Sequence, residues 1–316
     1  MSAQWSERRE AGGRFAIWLI RAAGLHAGRG FARAWLYPIT LYFYFRRTRE
    51  RRDSREFLSI ALGRPARAWD ILRHIHSYAA TILDRIYLLH DATLDRFDLR
   101  VHGLDQIEAE IARGRGVLLL GAHFGSFEAL RALSLHQPEV KLRVVMDLKQ
   151  TRALNEVLHA LNPEVANNVI DAGVDPGALA LSLHEAAQQG ALIGLLADRP
   201  RAGEPTAGVE FFGRTAQIPV AAYQIASMLE LPVVLGFGIY RGGNRYDLHF
   251  ETLAQSIKIP RSDRAAQLQV WAHRFSARLE HYARQYPYNW FNFYDFWDRS
   301  AQQPARDAII SVGNTG

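Results

Sequence analysis

The sequence of 316 residues contains no cysteine. That excludes a disulfide framework, thiolate metal sites and a cysteine nucleophile. It fits a reducing compartment. A membrane-crossing run is also missing. The aromatic stretch from Phe31 to Phe45 is shorter than the roughly 20 apolar residues that a spanning helix needs, and Arg21, Arg29, Arg33 and Pro38 interrupt any longer span. No small-residue cleavage site follows a short apolar core, so a removable signal peptide is not expected. There is no Walker motif, dinucleotide fingerprint, zinc-ligand spacing or Gly-x-Ser-x-Gly elbow.

What is present begins with enough apolar residues for a sizeable core, 48% of the chain. The length allows one large domain or two modest ones. The net charge of +6 suggests anionic partners. Amphipathic aromatics Trp18, Trp35, Tyr37, Tyr42 and Tyr44 are of the kind enriched at bilayer interfaces. Arginines 46, 47, 49, 51 and 52 follow directly, as in a juxtamembrane anchor on anionic lipid. Residues 1–56 are therefore expected to form a helical, membrane-associating segment lying on the bilayer. No recognised nucleic-acid module accompanies the charge, so nucleic acid is not an expected partner.

From Phe57 to about His90 the apolar spacing reads as helix, with Ile71, Ile75, Tyr78, Ile82 and Ile86 on one face. His74 and His76 within it read as packed or surface histidines. A strand is expected over Phe97–Val101. Asp105 and Glu108 resemble a capping box. Val117-Leu-Leu-Leu120 has the continuous apolar character of a strand buried on both faces. Strand and helix then alternate: a helix from near Ser126, a strand over Leu142–Met146, and helices over Thr151–Leu161 and Ala178–Gln189. A strand over Ala191–Leu196, a helix over Ile218–Leu229, strands over Pro232–Phe237 and Tyr246–Glu251, and a helix over Ala265–Tyr286 complete the series. The alternation implies an α/β fold, a mixed, mostly parallel sheet flanked by helices. The expected organisation is a domain over 57–299 and a loose tail over 300–316. Gly242-Gly243 reads as a hairpin turn.

The chemistry concentrates in Gly121-Ala-His-Phe-Gly-Ser-Phe-Glu128. On a continuous helix the five-residue step from His123 to Glu128 turns about 140°, which would point the side chains apart. They meet only if His123 lies in the turn ahead of the helix and folds back. Gly121 and Gly125 allow such a turn. A carboxylate on one imidazole nitrogen would fix the tautomer and make the other nitrogen a base. Ser126 reads as a helix cap.

The block Gly114-Arg-Gly-Val-Leu-Leu-Leu-Gly-Ala-His-Phe-Gly-Ser-Phe-Glu128 resembles the signature of the lipid A biosynthesis acyltransferases, a branch of the lysophospholipid acyltransferase superfamily with a His-x4-Asp/Glu motif. Gly194-Leu-Leu-Ala-Asp-Arg199, Val209-Glu-Phe-Phe-Gly213, Ile218-Pro219 and Leu231-Pro-Val-Val-Leu235 match further blocks in order. The resemblance covers roughly residues 100–300. It implies acyl transfer from a thioester donor, acyl carrier protein or acyl-CoA, to a hydroxyl or amine of a lipid-like acceptor. It places that activity at the cytoplasmic face of the inner membrane, with no metal and no cofactor. Carried over, His123 is the general base and Glu128 its orienting partner. Asp198, Arg199, Phe212, Gly213 and Arg214 would bind substrate. The family's strand arginine is replaced by Val145-Met-Asp-Leu148. The aromatic, acidic ending Tyr286–Trp297 lacks the basic residues that a doubly phosphorylated acceptor favours; it would either line an acyl groove or pack as a lid. The alternative is a non-catalytic, basic, membrane-bound scaffold that keeps the fold. Intact His123 and Glu128 favour the enzyme.

Overall fold

The computed structural model describes residues 14–297 except 90, 133–140, 149–150, 152–155, 157, 160–161 and 202. Most of the helix expected over 151–161, and the tail over 300–316, lie outside the described residues. Among the described residues the sheet has seven strands in the order β1-β9-β8-β2-β5-β3-β4. They are β1 (Asp98–His102), β2 (Val117–Gly121), β3 (Leu142–Met146), β4 (Val169–Asp171), β5 (Leu192–Leu196), β8 (Val233–Gly242) and β9 (Arg245–Ala254). Strands β8, β2, β5, β3 and β4 run parallel; β9 turns back along β8, and β1 lies parallel to β9 at the edge. The mixed, mostly parallel α/β sheet is the one the alternation predicts.

Helices cover both faces: α1 (Arg14–Arg46), α2 (Thr48–Ala61), α3 (Ala68–Leu88), α4 (Leu104–Ile111), α5 (Pro163–Asn167), α6 (Pro176–Gln188), α7 (Ala221–Met228) and α8 (Arg264–Gln285). Strand β2 sits mid-sheet and is buried throughout. Its side chains alternate between two cores, Leu118 and Leu120 in one and Val117 and Leu119 in the other. That is why its sequence is a run and not an alternation.

Local departures have local causes. The single helix expected from Phe57 to His90 is two. Gly63, at φ 64°, and Pro65 divide α2 from α3. Helix α2 crosses the expected boundary after residue 56 and buries Asp53, Ser54, Phe57 and Leu58. The capping interaction expected at Asp105 and Glu108 is replaced by Gly103 at φ 72°. A capping interaction occurs instead on α3, where the Asp70 carboxylate accepts from Arg67 N–H at 2.8 Å. Ile218 and Pro219 end a strand rather than begin a helix. They belong to β7 (Arg214–Pro219), which pairs antiparallel with β6 (Thr206–Phe211). The β6–β7 loop is the two residues Phe212 and Gly213 at φ 53° and 73°, the positive pair that a type I′ hairpin turn requires.

Helix α1 packs against α3. Ala32, Leu36 and Thr40 are buried, and Arg29 grips the buried Asp84 of α3 with two bonds of 2.9 Å. Arg33 donates to Tyr240 Oη at 2.5 Å, and Tyr246 Oη donates to Asp84 at 3.0 Å. Two of the arginines that break the apolar segment thus point into the protein. The outer face of α1 is the reverse of an ordinary surface helix. Phe31, Ala34, Trp35, Pro38, Leu41, Tyr42 and Phe45 form one exposed stripe at three- and four-residue steps. Phe31 and Trp35 are 52% exposed and Phe45 68%. Among the described residues no helix is long and apolar enough to cross a membrane.

Candidate active site

Strands β2 and β5 are parallel neighbours, with Gly121 opposite Leu196 and Ala197 N–H donating to Gly121 C=O at 3.0 Å. Each chain therefore leaves the sheet at its carboxyl end beside the other. Open α/β sheets place functional groups at such ends. Two residues beyond each strand end stand His123 and Asp198. His123 Nδ1 lies 2.8 Å from Asp198 Oδ1, and the backbone N–H of His123 donates to the same oxygen at 3.1 Å. Trp290 Nε1–H donates to Oδ2 at 3.3 Å. A carboxylate only accepts, so Nδ1 carries the proton and Nε2 the lone pair.

The turn that presents His123 is fixed by glycine and by the chain's end. Gly125 adopts φ 62°, and a Cβ there would stand 1.9 Å from Gly238 C=O. Ser126 N–H donates to Gly238 C=O at 2.7 Å, and Gly125 N–H to Asn289 C=O at 2.8 Å. Phe291 N–H donates to His123 C=O at 2.9 Å. The histidine backbone is thus held from three elements.

Asp198 is fully buried, whereas the His123 side chain is 32% exposed. Burial opposes the Asp198 charge, but His123 and Arg199 outweigh it and hold the carboxyl down at about 2. For His123, burial and the nearby charges of Arg199 and Arg85 lower the imidazole's affinity for a proton, against the pull of Asp198. The imidazole is therefore neutral at ordinary cell pH and able to accept a proton.

Glu128 opens a short 3-10 turn, Glu128–Ala132, after His123. Its Oε1 pairs with Arg85 Nε of α3 at 2.5 Å, and its Oε2 accepts from Ser126 Oγ at 3.0 Å. Ser126 also accepts from Ala129 N–H at 3.3 Å, so it caps this turn as its position predicts. The carboxylate bonded to Nδ1 is thus that of Asp198, which the sequence marks only as a substrate residue.

The remaining expected site residues fall in two groups. Arg199 joins the centre: it donates to Phe291 C=O at 2.5 Å, lies 3.7 Å from Asp198 Oδ2 and sits 5.0 Å from the Tyr294 ring centroid. Phe212, Gly213 and Arg214 belong to the β6–β7 hairpin. Phe212 is buried against Phe57 and Phe211. Arg214 pairs with Glu56 at 2.8 Å and lies over the Trp297 ring. These contacts of Phe212 and Arg214 are with the fold. The aromatic run Tyr286–Trp297 packs: Trp290, Phe291, Phe296 and Trp297 are buried, and Trp290 meets Phe57, Phe211 and Phe296 edge-on. His74 is likewise structural, between Ser54 Oγ at 2.8 Å and Trp290 C=O at 2.9 Å. Sequence reasoning missed Trp290 and Arg85. The density of aromatics marked the first; nothing marked the second.

No curated protein matches the chain. A family model, bacterial lipid A biosynthesis acyltransferase, matches residues 17–299. That span contains both strand ends, the His123 turn and the Trp290 segment, and it covers most of the chain. The chain belongs to the bacterial lipid A biosynthesis acyltransferase family.

Proposed function

We propose that this protein transfers a fatty acyl chain from a thioester, carried on acyl carrier protein or coenzyme A, to a hydroxyl or amine of a lipid-like acceptor, with His123 as general base. The observation that carries the reading is the Nδ1–Asp198 bond, which leaves the Nε2 lone pair as the proton acceptor. Nε2 takes the proton from the acceptor O–H or N–H as that atom attacks the thioester carbonyl. The tetrahedral oxyanion forms in the field of Arg85 and Arg199, the two cations that already act on the imidazole. Collapse breaks the C–S bond, and the imidazolium returns its proton to the departing thiolate. Asp198 orients the imidazole and stabilises its charged form. Glu128 holds Arg85 beside it, so its loss is expected to cost activity as well.

The same reading has the protein working at the cytoplasmic face of the inner membrane, peripheral or monotopic. The exposed stripe of α1 supports it. The exposed positions from Phe31 to Phe45 carry no charge, and Arg46, Arg47, Arg49 and Arg52 are exposed just beyond. Such a helix lies in the interface with its apolar face down and its arginines on anionic headgroups. The test is acyl transfer by purified protein on mixed vesicles. His123→Ala is expected to fold normally and lose activity at least about 100-fold, the usual worth of a positioned base. A fully active His123→Ala enzyme overturns the mechanism.

A further inference from the structure

Three strands from β2, the sheet edge carries a second group of chemistry-bearing side chains that acyl transfer does not use. His102 ends β1 and stands opposite His249 of β9 in the parallel register. Asp247 lies two residues before His249, on the same face of the strand. The potential ligand atoms of His102, Asp247 and His249 all lie within 4.8 Å of one another. The two imidazoles stack, with centroids 4.5 Å apart and planes 18° from parallel. His249 Nε2 is buried and makes no hydrogen bond to any described residue. A buried ring nitrogen with no partner is costly unless something occupies it.

We propose that His102, Asp247 and His249 bind a divalent first-row transition metal such as Zn2+ at the β1–β9 edge. Two imidazoles and one carboxylate are the donor set that such ions take, and it is a poor set for Mg2+ or Ca2+, which select oxygen. Tetrahedral zinc at about 2.0–2.2 Å from each ligand sets ligand atoms about 3.4 Å apart. Binding therefore draws the groups together by up to about 1.4 Å and turns the exposed His102 ring out of its stack on His249, so that both in-plane lone pairs meet at the ion. Three protein ligands leave one position for water. Asp247 is already oriented: its Oδ2 accepts from Arg241 Nη1 at 2.7 Å, which leaves Oδ1 for the ion. The arginine offsets part of the carboxylate charge, which weakens the affinity for the ion. His102 is exposed and gives the ion its way in. The sequence shows no local zinc spacing because the ligands come from strands whose paired residues are 147 apart and that only the parallel β1–β9 pairing joins. The ion would clamp the edge strand β1, which among the described residues pairs with β9 alone.

The test uses full-length protein stripped with chelator and then titrated with Zn2+, and separately with Co2+ for its visible absorption. The expected result is one Zn2+ per chain after gel filtration and a zinc-dependent rise in melting temperature. His102→Ala, at an exposed position, is expected to fold, to keep its acyl-transfer activity, and to lose both effects with at least a tenfold weaker affinity. Asp247→Asn is expected to weaken binding without abolishing it. The chain has 12 histidines, so binding elsewhere is the competing outcome. Zinc bound equally well by His102→Ala, or no stoichiometric zinc on the wild-type protein, overturns the assignment.

Discussion

Replacing Asp198 by asparagine tests the centre of the proposed mechanism with the smallest change of shape. The carboxylate accepts from His123 Nδ1–H, His123 backbone N–H and Trp290 Nε1–H. Asparagine keeps one accepting oxygen. If that oxygen faces Trp290, the amide NH2 faces Nδ1 and forces the proton onto Nε2, which removes the base. If it faces Nδ1, the tautomer survives but the charge that stabilises the imidazolium is gone. Loss of a base or of its orienting carboxylate costs roughly 100-fold to 10,000-fold in rate, about 3 to 5 kcal/mol of barrier. The assay is steady-state transfer of a labelled acyl chain from acyl carrier protein to vesicle lipid, with circular dichroism and melting temperature as fold controls. Glu128→Gln is the companion, because Glu128 faces Arg85 and Ser126. Asp198→Asn is expected to be the more damaging of the two. A folded Asp198→Asn enzyme above a tenth of wild-type activity, or a Glu128→Gln enzyme that is the worse affected, would refute the assignment of the orienting role to Asp198.

Other outcomes follow from the same geometry. The kcat/KM profile should rise with pH to a plateau, with a midpoint below the ordinary imidazole value of 6.5, because burial, Arg199 and Arg85 lower His123. Arg199→Gln should move that midpoint upward; an unmoved midpoint would mean that the profile reports another group. His74 is buried and held down at about 4 by that burial. The unfolded chain binds the proton more readily than the folded one between about pH 6.5 and 4, so this stability is complete above 6.5 and is lost as pH falls toward 4. The loss from pH 7 to 5 should be about 2 kcal/mol, read by denaturant unfolding and reduced in His74→Gln. Trp35, Tyr42 and Phe45 changed together to serine should weaken binding to anionic vesicles at least tenfold and leave the melting temperature near wild type. Reversing the charges of Arg46, Arg47 and Arg49 should weaken binding chiefly at low salt; equal binding by all variants would remove α1 as the contact.

The sheet was legible because its strands are short apolar runs of the kind that two covered faces demand. Val117–Leu120 is such a run, and it became the middle of the sheet. The turn at His123 was legible in part, since Gly121 and Gly125 allow it and Gly125 adopts φ 62°; the step to Glu128 bent the chain only on the premise that the two side chains meet, which they do not. The partner of His123 was not. Asp198 is 75 residues away, and only the pairing of β2 with β5 brings it to the imidazole. A local motif favours local partners, so spacing pointed to Glu128. The hairpin at Phe212 and Gly213 was hidden for another reason. A phenylalanine at φ 53° opposes ordinary turn preference, and burial against Phe57 and Phe211 offsets that cost.

The N-terminal segment joins these two levels. Its aromatics and arginines read as an anchor appended to a catalytic domain, which would make truncation the natural experiment. The packing argues for a different one. Arg29 and Arg33 enter a buried cluster with Asp84, Tyr240 and Tyr246, joining α1 to α3 and to the β8–β9 hairpin. Removing one partner of a buried ion pair leaves an uncompensated charge and costs about 3–5 kcal/mol. That is a large share of a typical domain's total stability. Deleting residues 1–52 would strip both arginines from Asp84 and uncover the α1 side of α3. Release of such a truncation from membranes would then report unfolding as readily as lost anchoring. Changing only the outward stripe separates the two, because Trp35, Tyr42 and Phe45 face solvent while Ala32, Leu36 and Thr40 make the inner contact. On the proposed reading, one helix has two duties on opposite faces. Its inner face completes the fold that holds His123 beside Asp198, and its outer face is free to meet the surface from which a lipid acceptor would come.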